Sequence, residues 1–230
     1  MKNKNKLFEN ILLALNKAGI LQDIILIGSW VLPVYKYHFS NSAGIPILRT
    51  TDIDFLITNP PGIKKKVDVS AILKSLGFEE TFSLLNNFTK FSHVDFEIEF
   101  LIPKLGRGND KAIYIEELNV IAQPLRYLNF IQNNTIVMDF GIMKIRVPEP
   151  AAFVLMKYLL TIKRKDEKKI AKDLRTANEL TDFLLSKSDQ RKNLKILFSE
   201  MPRKWQRKLM KIIYDNCFEL YKLLTEESET

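Results

Sequence analysis

Apolar side chains recur along this chain with two different periods. Over 7–18 they fall at Leu7, Ile11, Leu12, Leu15 and Ala18, the spacing of one helix face, and Gly19 ends the run. Ile24-Ile25-Leu26-Ile27 is a short continuous apolar segment and reads as a buried strand. Gly28-Ser29 then turn the chain into a helix over 30–39, with Pro33 tolerated in its first turn. A polar loop covers 40–48. Period two takes over at Asp52-Ile53-Asp54-Phe55-Leu56-Ile57, a strand. Asn59-Pro60-Pro61-Gly62 makes a turn, and 68–76 is a helix stopped by Gly77. The stretch 82–91 is ambiguous, a hairpin around Asn86-Asn87 being one reading. Strict alternation returns over 94–102, with Asp95, Glu97 and Glu99 on one face and Phe96, Ile98 and Phe100 on the other. A loop with Lys104, Gly106, Arg107 and Gly108 follows.

Beyond it, Gln123-Pro124 opens a short helix with Leu125, Leu128 and Ile131, and 135–147 forms a hairpin across Phe140-Gly141. After Val147-Pro148-Glu149-Pro150 the pattern is helical throughout: 152–162, 166–185, 187–198 and 203–224, with Pro202 at a first turn. In the second of these, Ile170, Ala171, Leu174, Ala177 and Thr181 point inward. The pattern therefore divides the chain into an α+β domain at 1–147 and a helical domain at 148–230.

Composition narrows the possibilities. An apolar fraction of 46% over 230 residues supports one large domain or two small ones. The formal charge of +8 favours an anionic partner. The helical half concentrates it, with seventeen Lys and Arg against seven Asp and Glu over 157–211. Cys217 is the single cysteine, so no internal disulfide forms, and with only His38 and His93 beside it a structural zinc site is excluded in practice. No apolar run has a membrane helix's length, and no signal-peptide core is apparent. A soluble, cytoplasmic protein is the expectation.

The sharpest chemical signal is the acid pair on the first alternating strand. Asp52 and Asp54, two apart, project to one side. Their mutual repulsion is relieved by a divalent cation, and hard carboxylate oxygens suit Mg²⁺; a solvated strand edge carries the same pair without a metal. At least one acid of the 94–102 strand is a candidate third ligand. Glu99 is the first choice because apolar Phe100-Leu101-Ile102 directly follow it, while Asp95 and Glu97 stay open. Gly28 lets the backbone approach an anion closely at a helix start, and Ser29 adds a hydroxyl donor.

These pieces, in this order, resemble the DNA polymerase beta-like nucleotidyltransferase superfamily. More narrowly, the chain looks like a bacterial group of stand-alone nucleotidyltransferase-fold proteins. The resemblance is carried by Gly28-Ser29, by Arg49-Thr50-Thr51-Asp52-Ile53-Asp54-Phe55-Leu56, and by Glu99-Phe100-Leu101 before Pro103. It continues through Pro124-Leu125-Arg126-Tyr127-Leu128, Val147-Pro148 ahead of a helix with Lys157, and Lys172-Asp173-Leu174. Two features depart from it: the interval from Gly28-Ser29 to Asp52 is long, and Met156 stands where this group has histidine.

The resemblance implies a nucleotidyltransferase-type mixed β-sheet flanked by helices and followed by a C-terminal helical bundle. It also implies transfer of an NMP from an NTP to a hydroxyl by a two-metal mechanism. Asp52 and Asp54 would bind Mg²⁺ or Mn²⁺, and Glu99 would complete the ion that activates the acceptor and would take its proton. Gly28 and Ser29 would hold the β- and γ-phosphates. Arg49 and Lys157 would neutralise the pyrophosphate, with Thr51 part of the same nucleotide site. Lys169, Lys172 and Asp173, on one helix face, would contact phosphate or ribose. The acceptor is expected to be RNA (tRNA in particular, as in toxin–antitoxin transferases of the superfamily), a protein or a small molecule. The alternatives are a catalytically silent nucleotide sensor and a basic RNA-binding protein on the same fold. Oligomeric state is left open.

Overall fold

The structure, a computed structural model, describes residues 2–40, 42–46, 50–83, 87–104, 111–162 and 164–226. Arg49, Asn86 and the expected loop residues Gly106, Arg107 and Gly108 lie outside them. The chain divides into two compact units: Met1–His38 with Leu48–Pro148, and Phe39–Ile47 with Glu149–Thr230. The excursion of 39–47 into the second unit differs from a single division at 147/148.

The first unit opens with α1 (Lys2–Ala18), which begins earlier than the apolar pattern predicts and buries Phe8, Ile11, Leu12 and Leu15. β1 (Ile25–Ile27) ends in a tight 3₁₀ turn, Gly28–Trp30, that runs directly into α2 (Val31–His38). β2 (Asp52–Leu56) follows, then α3 (Val69–Ser75), whose first turn is capped by the Asp68 carboxylate accepting from Ala71 N at 3.0 Å. β3 (Glu79–Phe82) and β4 (Thr89–Ser92) pair antiparallel, so the ambiguous 82–91 stretch is the second half of a hairpin. β5 (Glu97–Pro103), β6 (Ile113–Ile115) and β7 (Val120–Leu125) complete a seven-stranded mixed sheet among the described residues.

The strand order is β1-β2-β5-β4-β3, with β7 on β5 and β6 on β7. β2 and β5 are parallel, and Ile53, Phe55, Ile98 and Phe100 from these two strands are fully buried on one face. The far edge of β5 is shared: Glu97–Glu99 pair with antiparallel β4, and Leu101–Pro103 with parallel β7. α4 (Leu128–Asn133) and the hairpin of β8 (Thr135–Phe140) and β9 (Met143–Pro148) close the unit.

Two sequence expectations are corrected here. The strand expected over 94–102 begins only at Glu97. His93 N donates to Phe96 O at 2.8 Å and Phe96 N to His93 O at 3.2 Å, so 93–96 is the reverse turn of the β4–β5 hairpin, with Val94 92% exposed at its tip. Asp95 leaves the acid face with that turn, and its carboxylate lies 3.8 Å from Lys4 Nζ of α1. Pro124, expected to open a helix, lies inside β7. Leu125 O accepts from Lys104 N, so the backbone of Pro124 points to the other side, where β6 has already ended and no ladder bond is lost. The helix itself starts at Leu128, after Tyr127 with φ 73°.

The second unit contains α5 (Pro150–Thr161), α6 (Glu167–Leu185), α7 (Ser188–Glu200), α8 (Arg203–Asn216) and α9 (Phe218–Thr225). α5 is buried along nearly all its length. The buried stripe of α6 is Asp173, Thr176, Ala177, Leu180, Thr181 and Leu184, so Ala171, expected inward, is exposed. The stripe starts on a carboxylate, which an apolar-only reading passes over. The helix expected over 203–224 breaks at Cys217, where Asn216 Nδ2 turns back to donate to Ile212 O at 2.8 Å. No helix among the described residues is long and apolar enough to cross a membrane.

Candidate active site

The registers of four strands place the acids of the first unit on one face. Asp52 stands opposite Glu97, and Asp54 opposite Glu99. On the next strand Ser92 neighbours Glu97, and Lys90 neighbours Glu99. The face thus carries two adjacent rows, Asp52-Glu97-Ser92 and Asp54-Glu99-Lys90. Asp52 is exposed, Asp54, Glu97, Glu99 and Lys90 are half-buried, and the buried Leu56 and Leu101 close the row at the far end. The face is an open polar site at one end of a packed sheet.

Each acid is held by its neighbours. Thr50 Oγ1 accepts from Asp52 N at 3.3 Å, and Thr51 Oγ1 donates to Asp52 Oδ1 at 3.3 Å. Thr51 O accepts from Glu97 N at 2.9 Å, which extends the β2–β5 ladder to the first row. Asp54 is set by the turn after β1. Ile27 pairs with Asp54, and Gly28 follows with φ 70°. A Cβ on Gly28 would fall inside van der Waals contact of Asp54 Oδ2 and 3.3 Å from its Cγ. Glycine is required here on two counts: the left-handed backbone and the carboxylate lying against it. Ser29 is half-buried in the same turn, and neither the turn nor the first turn of α2 contains an acid.

Lys90 is the site residue that sequence reasoning missed. Its Nζ lies 2.7 Å from Glu99 Oε1 and 3.4 Å from Glu97 Oε2. The hydrogen bond to Glu99 raises the amine above the ordinary lysine value, outweighing its partial burial. Its only sequence signal is its place in Thr89-Lys90-Phe91-Ser92, a strand that becomes visible once the hairpin is assigned.

Hard oxygen donors at Asp52 and Asp54, with Gly28 leaving room beside the latter, fit a divalent cation. Glu99 is engaged by Lys90 instead. Among the described residues no group of three or more His, Cys, Asp or Glu stands close enough together to hold an ion.

The remaining expected site residues belong to the helical unit. Lys157 and Asp173 are buried, with Lys157 Nζ donating to Asp173 Oδ1 at 2.8 Å and Arg164 Nε 2.6 Å from Asp173 Oδ2. Lys157 therefore has its charge balanced inside its own unit, where it also lies 5.4 Å from the Phe153 ring centroid. Lys169 is exposed and Lys172 half-buried, so the three positions of the expected phosphate face differ sharply in burial.

A family of nucleotidyltransferases, described by that name, matches residues 6–196. No curated protein matches the chain. Among solved structures, the chain is similar to an antigenic nucleotidyltransferase-like protein from Paracoccidioides brasiliensis, at 13% identity over 97% of this chain and 94% of that one, with a TM-score of 0.49. It is also similar to the antibiotic-resistance factor ANT(2'')-Ia, at 14% identity over 86% of this chain and 92% of that one, with a TM-score of 0.46.

Proposed function

The chain belongs to the nucleotidyltransferase family, and from that premise we propose that it transfers an NMP from an NTP to an acceptor hydroxyl at the acid face of β2 and β5. The observation that carries this reading is the parallel register Asp52–Glu97 and Asp54–Glu99 beside a glycine against which the Asp54 carboxylate lies. Asp52 and Asp54 would hold Mg²⁺ or Mn²⁺, two ions in the full reaction. Bound there, the cations neutralise triphosphate charge and acidify the acceptor hydroxyl. Thr50 and Thr51 orient Asp52, and Gly28 lets Asp54 lie flat against the turn. The backbone N–H groups of this turn and the Ser29 hydroxyl would donate to phosphate oxygens. The acceptor oxygen bonds to the α-phosphorus as the bond to pyrophosphate breaks, and Glu99 takes the acceptor proton.

For the acceptor we favour a large anion such as RNA. α8 exposes Arg203, Lys204, Arg207 and Lys211. Beyond them Tyr214 (57% exposed), Phe218 (50% exposed) and Tyr221 form a ring cluster with centroids 5.1 to 6.1 Å apart. Cations next to exposed rings are the surface chemistry that single-stranded nucleic acid uses. A cytoplasmic location, where NTPs and Mg²⁺ are abundant, accompanies this reading. One observation favours a second reading, nucleotide binding without turnover: Lys90 withholds Glu99.

The test is pyrophosphate release with each NTP and Mg²⁺ or Mn²⁺, in the presence of bulk tRNA or of a lysate with labelled nucleotide. Release or labelling lost in Asp52→Ala/Asp54→Ala is the expected result. Metal-dependent nucleotide binding without any release selects the second reading. Release unaffected by the double substitution sinks the site.

A further inference from the structure

α8 carries five Lys and Arg against one Asp. None of Arg203, Lys204, Arg207, Lys208 and Lys211 has a side-chain ion-pair or hydrogen-bond partner among the described residues. Arg203, Arg207 and Lys211 recur every four residues and line one face, each step about 6 Å along the axis. That step is close to the phosphate repeat of an extended nucleic-acid strand. Tyr214 continues the same face, and Phe218 opens α9 just past the break at Cys217. Tyr214 stands edge-on to Phe218 and to Tyr221, at 6.1 and 5.1 Å, while Phe218 and Tyr221 lie within 10° of parallel. Lys222 Nζ lies 4.9 Å from the Phe218 centroid, so Tyr214 is the ring with the most open surface. The sign of the charge changes along this face. Acids enter only at the ring end, with Asp215 and Glu219, and Glu219 is paired with Lys222 at 3.2 Å. Phosphates therefore belong at the Arg203 end and bases at the ring end. The aliphatic Leu209 and Ile213 of α8 are buried, so the exposed stripe has charge and rings but no aliphatic side chain to insert into a membrane.

We propose that this face holds a single, unpaired strand of RNA, its phosphates on Arg203, Arg207 and Lys211 and its bases stacked on Tyr214 and Phe218. This rests on the reading of the acceptor as RNA and narrows it to an unpaired segment. Bases inside a duplex are stacked on one another and present no face to a protein ring, whereas an unpaired strand offers both backbone and base faces. A polyanion without bases uses the cations alone. All of these contacts lie within the helical unit, so binding needs neither nucleotide nor metal at the acid face.

The test is fluorescence anisotropy of an end-labelled single-stranded RNA with the full-length protein in EDTA, against a duplex of the same sequence and with polyphosphate as competitor. The single strand is expected to bind more tightly than the duplex. Tyr214→Ala/Phe218→Ala is expected to weaken the single strand by about tenfold or more, the scale of one or two stacked bases, and to leave the salt dependence unchanged. Tyr214→Leu/Phe218→Leu, which keeps apolar bulk and removes the rings, is the second variant should the alanines disturb the α8–α9 junction. Arg203→Gln/Arg207→Gln/Lys211→Gln is expected to weaken single strand, duplex and polyphosphate alike and to make the salt slope shallower by about two. Equal binding of single strand and duplex with both ring variants unchanged overturns the proposal, as does polyphosphate competing as fully as unlabelled RNA. A wild type that elutes as a dimer and becomes monomeric in the ring variants also overturns it, by giving the rings to a second copy. Asp52→Ala/Asp54→Ala is expected to bind RNA as wild type does. RNA binding without pyrophosphate release under any condition therefore sinks the transferase reading and leaves the strand site standing, whereas RNA-dependent release indifferent to the ring and stripe variants does the reverse.

Discussion

Replacing Gly28 by alanine separates two costs that the structure assigns to one position, and Gly141 supplies the reference. Both residues have left-handed backbones, φ 70° at Gly28 and φ 60° at Gly141, and both lie in the first unit. A Cβ at Gly141 meets nothing within 4 Å. Gly141→Ala therefore carries the backbone cost alone, about 1–2 kcal/mol. A Cβ at Gly28 carries the same cost and also collides with the Asp54 carboxylate, whose own Cβ is 3.6 Å away. The carboxylate must rotate off its rotamer or away, for roughly a further 0.5–1.5 kcal/mol. In urea, with a slope of about 1–3 kcal/mol per molar, Gly28→Ala should unfold roughly 0.2–1.5 M below Gly141→Ala. Because the displaced group is the proposed ion ligand, Gly28→Ala should also lose Mn²⁺ binding, whereas Gly141→Ala keeps it. Equal midpoints for the two variants, with Mn²⁺ binding intact in both, would refute the idea that Gly28 is kept for Asp54.

The buried pair of the helical unit should behave as a coupled charge. Asp173→Leu should cost about 3–5 kcal/mol by stranding the buried Lys157, whereas Lys157→Met should cost less because Arg164, 2.6 Å from Asp173 Oδ2, still pairs the carboxylate. Adding Lys157→Met to Asp173→Leu should recover much of the larger loss, and additive losses in urea melts would show the pair is not coupled. Glu149 gives a pH prediction. Its carboxylate caps α5, accepting from Ala151 N at 2.6 Å and Ala152 N at 3.1 Å, and burial raises its pKa above the ordinary value despite those bonds. A raised folded pKa contributes stability that is complete below the unfolded value, about 4.3, and is lost as pH rises through the folded one. Unfolding followed between acidic and neutral pH should show this decline in wild type, and Glu149→Gln should flatten it whatever its absolute stability. An unchanged slope in the variant would remove Glu149 as its source.

Much of the sheet was legible because period two survives in single strands. The Asp52/Asp54 pair, the Glu97/Glu99 alternation and the β8–β9 hairpin all lie within one or two consecutive segments. What was not legible was register between strands far apart in sequence. Gly28 illustrates this. The sequence shows a glycine at a strand end, but not that the Ile27–Asp54 pairing lays the Asp54 carboxylate against it. Lys90 stayed hidden for the same reason, since nothing local points it at Glu99. Lys157 came from the resemblance alone, and the buried carboxylate that pairs with it, sixteen residues later, has no local signal in the sequence. The limits of 94–102 and the Cys217 break were lost to local turns, in which one side chain or one reversed pair of backbone bonds overrides an unbroken pattern.

The excursion of 39–47 bears on how this chain can be cut. Phe39 lies 5.1 Å from the Phe183 ring, a Cβ at Gly44 would meet Phe183 Cδ2 at 3.2 Å, and Ile45 is buried, all among the helical unit's own residues. A truncation after Pro148 would keep this segment and discard the surface that covers it, leaving greasy side chains in water a few residues from the acid strand. The two units are thus interleaved in sequence, so proteolysis or gene fission at 148/149 should give an aggregating fragment rather than a free-standing transferase. Co-expression of both pieces, each supplying what the other lacks, is the dissection the chain allows.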